Sequence, residues 1–249
     1  MGPVSVATDG RVAFGSVQVD AGDPRRAGHE VYTQIGRVRA QLNMPQLLRA
    51  WHFLPRLNAG EGDQERYRLF CSGRREAIDA GVLGDHALPA ATVVGADGEQ
   101  LLAQFLLCQE PLEAIENPRQ ISAYEYPRRY GPHPPAFARA ARVRGSQLLL
   151  SGTASIVGHE TRHAGDVVAQ LDESLANVEA LISAADGDGA RSLAALLSLR
   201  VYLRHADDSD AVQRRLRDWL PDSVPRVFVR ADLCREDLLI ELEGTVSRA

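Results

Sequence analysis

The chain has 249 residues, 45% of them hydrophobic and 24% charged, enough to bury a core in one large or two small domains without metal or disulfide staples. All 28 basic residues are arginine, which excludes a lysine Schiff base, a lysine general base and a Walker A lysine. A net charge of -5 excludes a chain whose business is wrapping nucleic-acid phosphate.

In chain order, the alternation over residues 12–19 predicts a strand, and Val31, Ile35, Val38 and Leu42 fall at helical spacing. A strand at 47–54, a helix at about 63–80 and a hairpin turning at Ala96-Asp97-Gly98 complete a first unit. After a proline-rich stretch over 110–135 the order repeats. A strand at 147–156 precedes a helix capped by Asp166, with Val168, Leu171, Leu175, Val178 and Ile182 on one face, and a loop at 186–189 ends that helix. Then come a strand at 197–203, a helix at 209–220 stopped by Pro221 and Pro225, and strands at 226–232 and 238–246 joined by a short turn. Leu238, Ile240 and Leu242 share one face of the last strand, Glu241 and Glu243 the other.

The repeated order implies an α+β fold of two β-α-β-α-β-β modules with mixed sheets packed by helices, one over residues 1–109 and one over 110–249. Alanine and glutamine of the first copy stand where the second has Arg226 and Glu241, so ionisable chemistry is expected in the second copy.

Cys71, Cys108 and Cys234 are far apart and form no C-x-x-C pair, which argues against a disulfide framework and a zinc knuckle. No apolar run reaches the length of a membrane span and no signal segment opens the chain, so a cytoplasmic protein is expected. His159-Glu-Thr-Arg-His163 matches H-E-x-x-H, but Gly158 before it and Ala164-Gly165 after it place it in a loop, where the two histidines do not share a helix face. No metal and no cofactor is expected. Arg226 and Glu241, on neighbouring strands of the expected hairpin, are either a surface ion pair or a carboxylate-binding guanidinium beside a general acid.

The stretch from Arg226 through Asp232, Cys234 and Glu241 resembles the C-terminal signature of the YjgF, or reactive-intermediate-deaminase, fold, which is also chorismate-mutase-like. Asn117-Pro-Arg-Gln-Ile-Ser-Ala-Tyr-Glu-Tyr-Pro-Arg-Arg-Tyr-Gly-Pro132, Phe137-Ala-Arg139-Ala and Ser151-Gly-Thr-Ala-Ser-Ile-Val-Gly-His-Glu-Thr-Arg-His-Ala-Gly-Asp166 resemble the chorismatases, which remove pyruvate from chorismate. The likeness continues at Trp51-His-Phe-Leu-Pro55, Gly60-Glu-Gly-Asp63 and Glu65 to Arg74. It implies that Glu241 protonates the enol methylene, its pKa raised by burial near Leu239 and Phe228, and that Arg226, Arg128 and Arg139 bind carboxylates, with Phe137, Gly152 and Thr153 around the substrate. It implies chorismate as partner, with a homo-oligomer possible, and 3-hydroxybenzoate plus pyruvate as products. Cys234 resembles the 3-hydroxybenzoate-forming type, while Ala154 suits either that type or the hydrolases that make a dihydroxycyclohexadiene carboxylate.

An imine-hydrolysing or non-catalytic YjgF relative would keep the same Arg and Glu but not the extended Tyr124–Arg139 stretch. An iron-dependent oxygenase, suggested by the pteridine-dependent dioxygenase label some relatives carry, would need a facial triad, for which only the loop histidines offer themselves. Chorismatases carry additional chain ahead of the segment matching residues 12–19, so an edge strand is expected to be exposed here or covered by association.

Overall fold

The computed structural model describes residues 4–143, 145–186 and 192–247. The first half forms β1 (Val4–Thr8), β2 (Val12–Asp20), α1 (Pro24–Leu42), β3 (Gln46–Pro55), α2 (Arg66–Asp79), β4 (Ala90–Ala96) and β5 (Gln100–Cys108). α1 starts where Asp23 Oδ1 accepts the Arg25 and Arg26 amides and Pro24 sets the first turn, and it stops at Asn43, in the left-handed region. α2 begins at Arg66, later than the sequence suggests, because a 3-10 turn at Gly62–Gln64 takes the preceding residues. The two helices cross so closely that a Cβ on Gly73 would lie 1.7 Å from the Arg25 carbonyl oxygen, so only glycine fits there.

The second half forms β6 (Leu112–Ile115), β7 (Ala140–Val143), β8 (Leu148–Leu150), β9 (Thr153–Ala154), β10 (Ile156–Val157), β11 (Glu160–Thr161), α3 (Val167–Asp186), β12 (Leu196–Leu203), α4 (Ser209–Trp219), β13 (Arg226–Arg230) and β14 (Ile240–Val246). Asp166 Oδ1 caps α3 by accepting the Val168 and Ala169 amides. Residues 187–189 of the expected loop lie outside the described residues. The expected strand 147–156 is broken into β8, β9 and the start of β10. The break is at Ser151, whose hydroxyl donates to the Ala138 carbonyl and accepts the Ala91 amide instead of leaving a plain ladder.

The sheets run β1-β2-β5-β3-β4 and β13-β12-β14-β8-β7-β6. Neither expected hairpin exists. β4 pairs in parallel with β3, and β5 lies antiparallel on the other side of β3. β13 and β14 flank β12 in the same way. Each short link therefore steps over the end of a central strand, and the misreading occurs twice for one reason: both copies share one topology.

α1 and α2 cover one face of the first sheet around Val31, Ile35, Phe70 and Phe105, and α3 and α4 cover one face of the second around Leu171, Leu175, Val201 and Leu216. The uncovered faces meet through Leu48, Ala90, Cys108 and Ala141, and through Val94, Ala154, Tyr202 and Leu233. The result is four layers, helix–sheet–sheet–helix. Among the described residues no helix is long and apolar enough to cross a membrane.

Candidate active site

β14 runs between β12 and the short β8 and β9, so its residues are buried on both faces. Ile240 and Leu242 enter the helix-covered core, and Glu241 and Glu243 enter the contact between the sheets, where they are 5% and 4% exposed. The two carboxylates meet different surroundings. Glu243 Oε2 accepts from Arg49 Nη2 at 2.7 Å and Thr92 Oγ1 at 2.5 Å, while Oε1 accepts from Arg200 Nη1 at 2.6 Å, Trp51 Nε1 at 3.1 Å and the Tyr202 hydroxyl at 3.1 Å. All five partners donate, which suits an acceptor-only carboxylate held as a structural anion.

Glu241 instead forms part of the floor of a cavity of about 970 Å³. Burial is the main cause pushing its carboxyl up to about 8; the neighbouring Glu243 pushes the same way, and Arg49 and Arg139 oppose. The burial comes from the sheet contact, with Tyr202 and Ala154 paired to Glu241 across the strands, rather than from Leu239 and Phe228; Phe228 packs against the helix-covered core. Gly152 lies against the acid: a Cβ there would be 2.0 Å from Glu241 Oε1. Cys234 also lines the cavity, its thiol pushed up to about 12 by burial and then by Glu241, so it packs as a neutral, weakly polar group.

Two guanidiniums in the cavity wall each lie near two aromatic rings and share one of them, Tyr126. Arg139, 4% exposed, lies 5.5 Å from the Tyr126 ring centre and 5.3 Å from that of Phe137. Its Nη2 donates to the Ile121 carbonyl and the Tyr126 hydroxyl, and its buried Nε has no partner among the described residues. Arg235 lies 4.1 Å from the Tyr130 ring centre and 5.3 Å from that of Tyr126. Its Nη1 donates to the His159 carbonyl and Thr161 Oγ1, and its Nη2 is likewise unpartnered among the described residues. Each is thus a cation held against aromatic rings in the cavity lining with one N–H that no protein group accepts among the described residues, a combination that suits a carboxylate.

Of the residues singled out from the sequence, Glu241, Arg139, Phe137, Gly152, Ala154 and Cys234 converge on this cavity. Three do not. Arg226 pairs with Leu199 while Glu241 pairs with Tyr202, three positions on along β12, which puts them on opposite faces with a strand between them. The Arg226 guanidinium donates to the Pro221 carbonyl and pairs with Asp222. Arg128 is exposed and clasps Asp63 through both carboxylate oxygens, leaving the neighbouring Arg129 to line the cavity. Thr153 turns its hydroxyl back to the Ser151 carbonyl. The H-E-x-x-H residues span the β10–β11 turn: His159 meets Arg129 and Tyr130, and His163 meets Glu173 on α3.

Sequence reasoning missed Arg235, Tyr126, Tyr130, Arg49 and Thr92. Tyr126 and Tyr130 fall inside the quoted chorismatase-like stretch and Arg235 inside the YjgF-like one without being singled out there, and Arg49 is legible as a charge inside the apolar run Leu47-Leu48-Arg49-Ala50-Trp51.

Residues 1–107 match the family described as chorismatase FkbO/Hyg5-like, N-terminal. A 3-hydroxybenzoate synthase of Streptomyces hygroscopicus is 37% identical over 258 aligned positions, covering 98% of this chain and 76% of that protein. A chorismatase of Streptomyces rapamycinicus is 38% identical over 247, covering 94% of this chain and 74% of that protein. The crystal structure of a chorismatase superposes with a TM-score of 0.91 at 35% identity, covering 98% of this chain and 77% of that one. With that likeness running through both sheets and the cavity between them, the chain belongs to the chorismatase family.

Proposed function

We propose that the chain releases pyruvate from chorismate and leaves the ring as 3-hydroxybenzoate, with residues 110–249 carrying the acid and its arginines and residues 1–109 the facing wall. The observation that carries this reading is Glu241, a buried carboxyl with its pKa near 8, sharing one cavity with two guanidiniums held against aromatic rings, each with an N–H unpartnered among the described residues. Chorismate has two carboxylates and an enol ether, and the arrangement answers both.

In this reading Arg139 and Arg235 hold the carboxylates, a role the sequence suggested for Arg139, Arg226 and Arg128. The protonated Glu241 gives its proton to the enol methylene, which becomes the methyl of pyruvate. The ring hydroxyl oxygen attacks the adjacent ring carbon, the carbon–oxygen bond to the enolpyruvyl group breaks, and pyruvate leaves. The bond from the hydroxyl oxygen to its original ring carbon then breaks, and loss of the proton on the attacked carbon aromatises the epoxide-like intermediate; the hydroxyl proton ends on the phenol oxygen, the ring proton restores Glu241, and no water is consumed. The neutral thiol of Cys234, in the cavity with the acid, matches the 3-hydroxybenzoate-forming type that this position resembles, and it favours this route over hydrolysis; Ala154 suits either.

The test is incubation with chorismate and identification of both products by chromatography and mass spectrometry, alongside Glu241→Gln. Equimolar pyruvate and 3-hydroxybenzoate are expected, with turnover in the variant down by about 100-fold or more. Pyruvate with a dihydroxycyclohexadiene carboxylate would assign the hydrolytic route, and no pyruvate at all would refute the reading.

A further inference from the structure

Thr92 belongs to β4 of the first module, yet its hydroxyl joins three groups that surround the acid of the second. Its Oγ1 donates to Glu243 Oε2 at 2.5 Å, and it accepts from Arg49 Nη2 at 2.6 Å and from the Gly152 amide at 2.9 Å. A hydroxyl has one proton and two lone pairs, so these contacts saturate it and fix its rotor. The Gly152 amide also reaches the Ala91 carbonyl at 3.3 Å, which makes β4 the anchor for that segment of backbone. Gly152 in turn is what Glu241 rests on, at a distance that leaves no room for a Cβ.

We propose that Thr92, with Arg49 and Glu243, is a positioning unit through which the first module sets the place of the Glu241 carboxyl. The unit pins Gly152 under the acid and holds the Arg49 and Glu243 charges on each other, so that neither turns toward Glu241. This inference rests on the reading of Glu241 as the general acid. A tie serving stability alone would leave turnover, KM and the pH profile of the folded enzyme unchanged.

The charged and titratable groups acting on Glu241 are Glu243 on its own strand, Arg49 from β3 and Arg139 from the segment entering β7. Cys234 lies in the same cavity, and Tyr202 of β12 is paired opposite. Glu243 holds the acid up, and Arg49 pulls it down. Removing the Thr92 hydroxyl frees Arg49 toward Glu241, and Glu243→Gln removes the upward influence; both lower the pKa of the acid. Because the protonated form is the active one, activity is lost above that pKa, and both changes move the basic limb of the kcat profile to lower pH.

The experiment measures kcat, KM and melting temperature with chorismate from about pH 5 to pH 9 for Thr92→Val, Thr92→Ser, Glu243→Gln and Glu241→Gln. Thr92→Val keeps the shape and is expected to lower kcat by about 10- to 100-fold with KM within about threefold, while Thr92→Ser recovers most of the loss. Thr92→Val within about twofold of the parent, or Val and Ser equally impaired, overturns the proposal. Should Thr92→Val fail to fold, Glu243→Gln decides: a basic limb displaced to lower pH supports the unit, an unmoved limb overturns it. If Glu241→Gln itself turns over normally, the reading of the acid falls; if it is inactive while Thr92→Val is normal, only the positioning unit falls.

Discussion

One methyl group added at Gly152 should disable the acid without touching its chemistry. The ideal Cβ lies 2.0 Å from Glu241 Oε1, 2.8 Å from its Cδ and 3.3 Å from Thr92 Cγ2. Non-bonded contacts to carbon settle near about 3.5 Å, so the carboxyl must retreat by more than about 1 Å. The backbone cannot yield for it, since β14 is hydrogen-bonded to β12 on one side and to β8 and β9 on the other. Gly152 is also outside the positive-φ region, so alanine meets no backbone strain there and the contact alone acts. A misplacement of about 1 Å at a reacting group costs on the order of 100-fold, roughly 2.7 kcal/mol of barrier, against an overpacking cost of about 1–3 kcal/mol in stability. Pyruvate release, followed by coupling to lactate dehydrogenase, should fall by about that factor in Gly152→Ala while thermal melting still reports a folded protein. A kcat within about threefold of the parent would falsify the contact as the determinant of the acid's position.

Arg139→Met and Arg235→Met should each weaken chorismate use by about 1.5–3 kcal/mol, read as a rise in KM, while Arg226→Ala leaves the kinetics unchanged; the opposite pattern refutes the placement of the carboxylates. Glu241 also links stability to pH. Its carboxyl is raised from 4.5 to about 8 in the folded state, so its contribution is fully present below about pH 4.5 and is lost as pH rises through 8. Glu241→Gln should therefore gain on the parent in melting temperature between about pH 5 and pH 8, the stability difference reaching at most about 5 kcal/mol, and parallel curves would rule this out.

The sequence carries face assignment well and adjacency poorly. Alternation along the last strand separates Ile240 and Leu242 from Glu241 and Glu243 correctly, because side-chain direction is a local property of the pleat. That β12 lies between β13 and β14 is non-local, and no spacing within 226–246 encodes it; the error over Arg226 follows directly. Arg139, Phe137, Gly152 and Ala154 of the chorismatase-like motifs and Cys234 of the YjgF-like stretch all line the one cavity. Arg235 went unread although it adjoins Cys234, because its role comes from Tyr126 and Tyr130, more than 100 residues earlier in the chain. Arg128 and Arg129 are indistinguishable as letters; the turn through Arg128–Tyr130 decides which one faces inward.

The Arg49–Glu243 pair joins the two sheets where both side chains are almost wholly buried. Parting the sheets would strand two charges, and breaking such a pair costs about 3–5 kcal/mol. Opening by a hinge between the modules is therefore a costly route for a ligand. The exposed residues of the cavity lining, Gly60, Glu61 and Gly62 from one module and Arg129, Glu236 and Asp237 from the other, mark its open side, which a ligand reaches without parting that pair. The end of the cavity that carries the acid is thus the tied end, and substitutions among the exposed lining residues leave the buried ionic tie beside Glu241 intact.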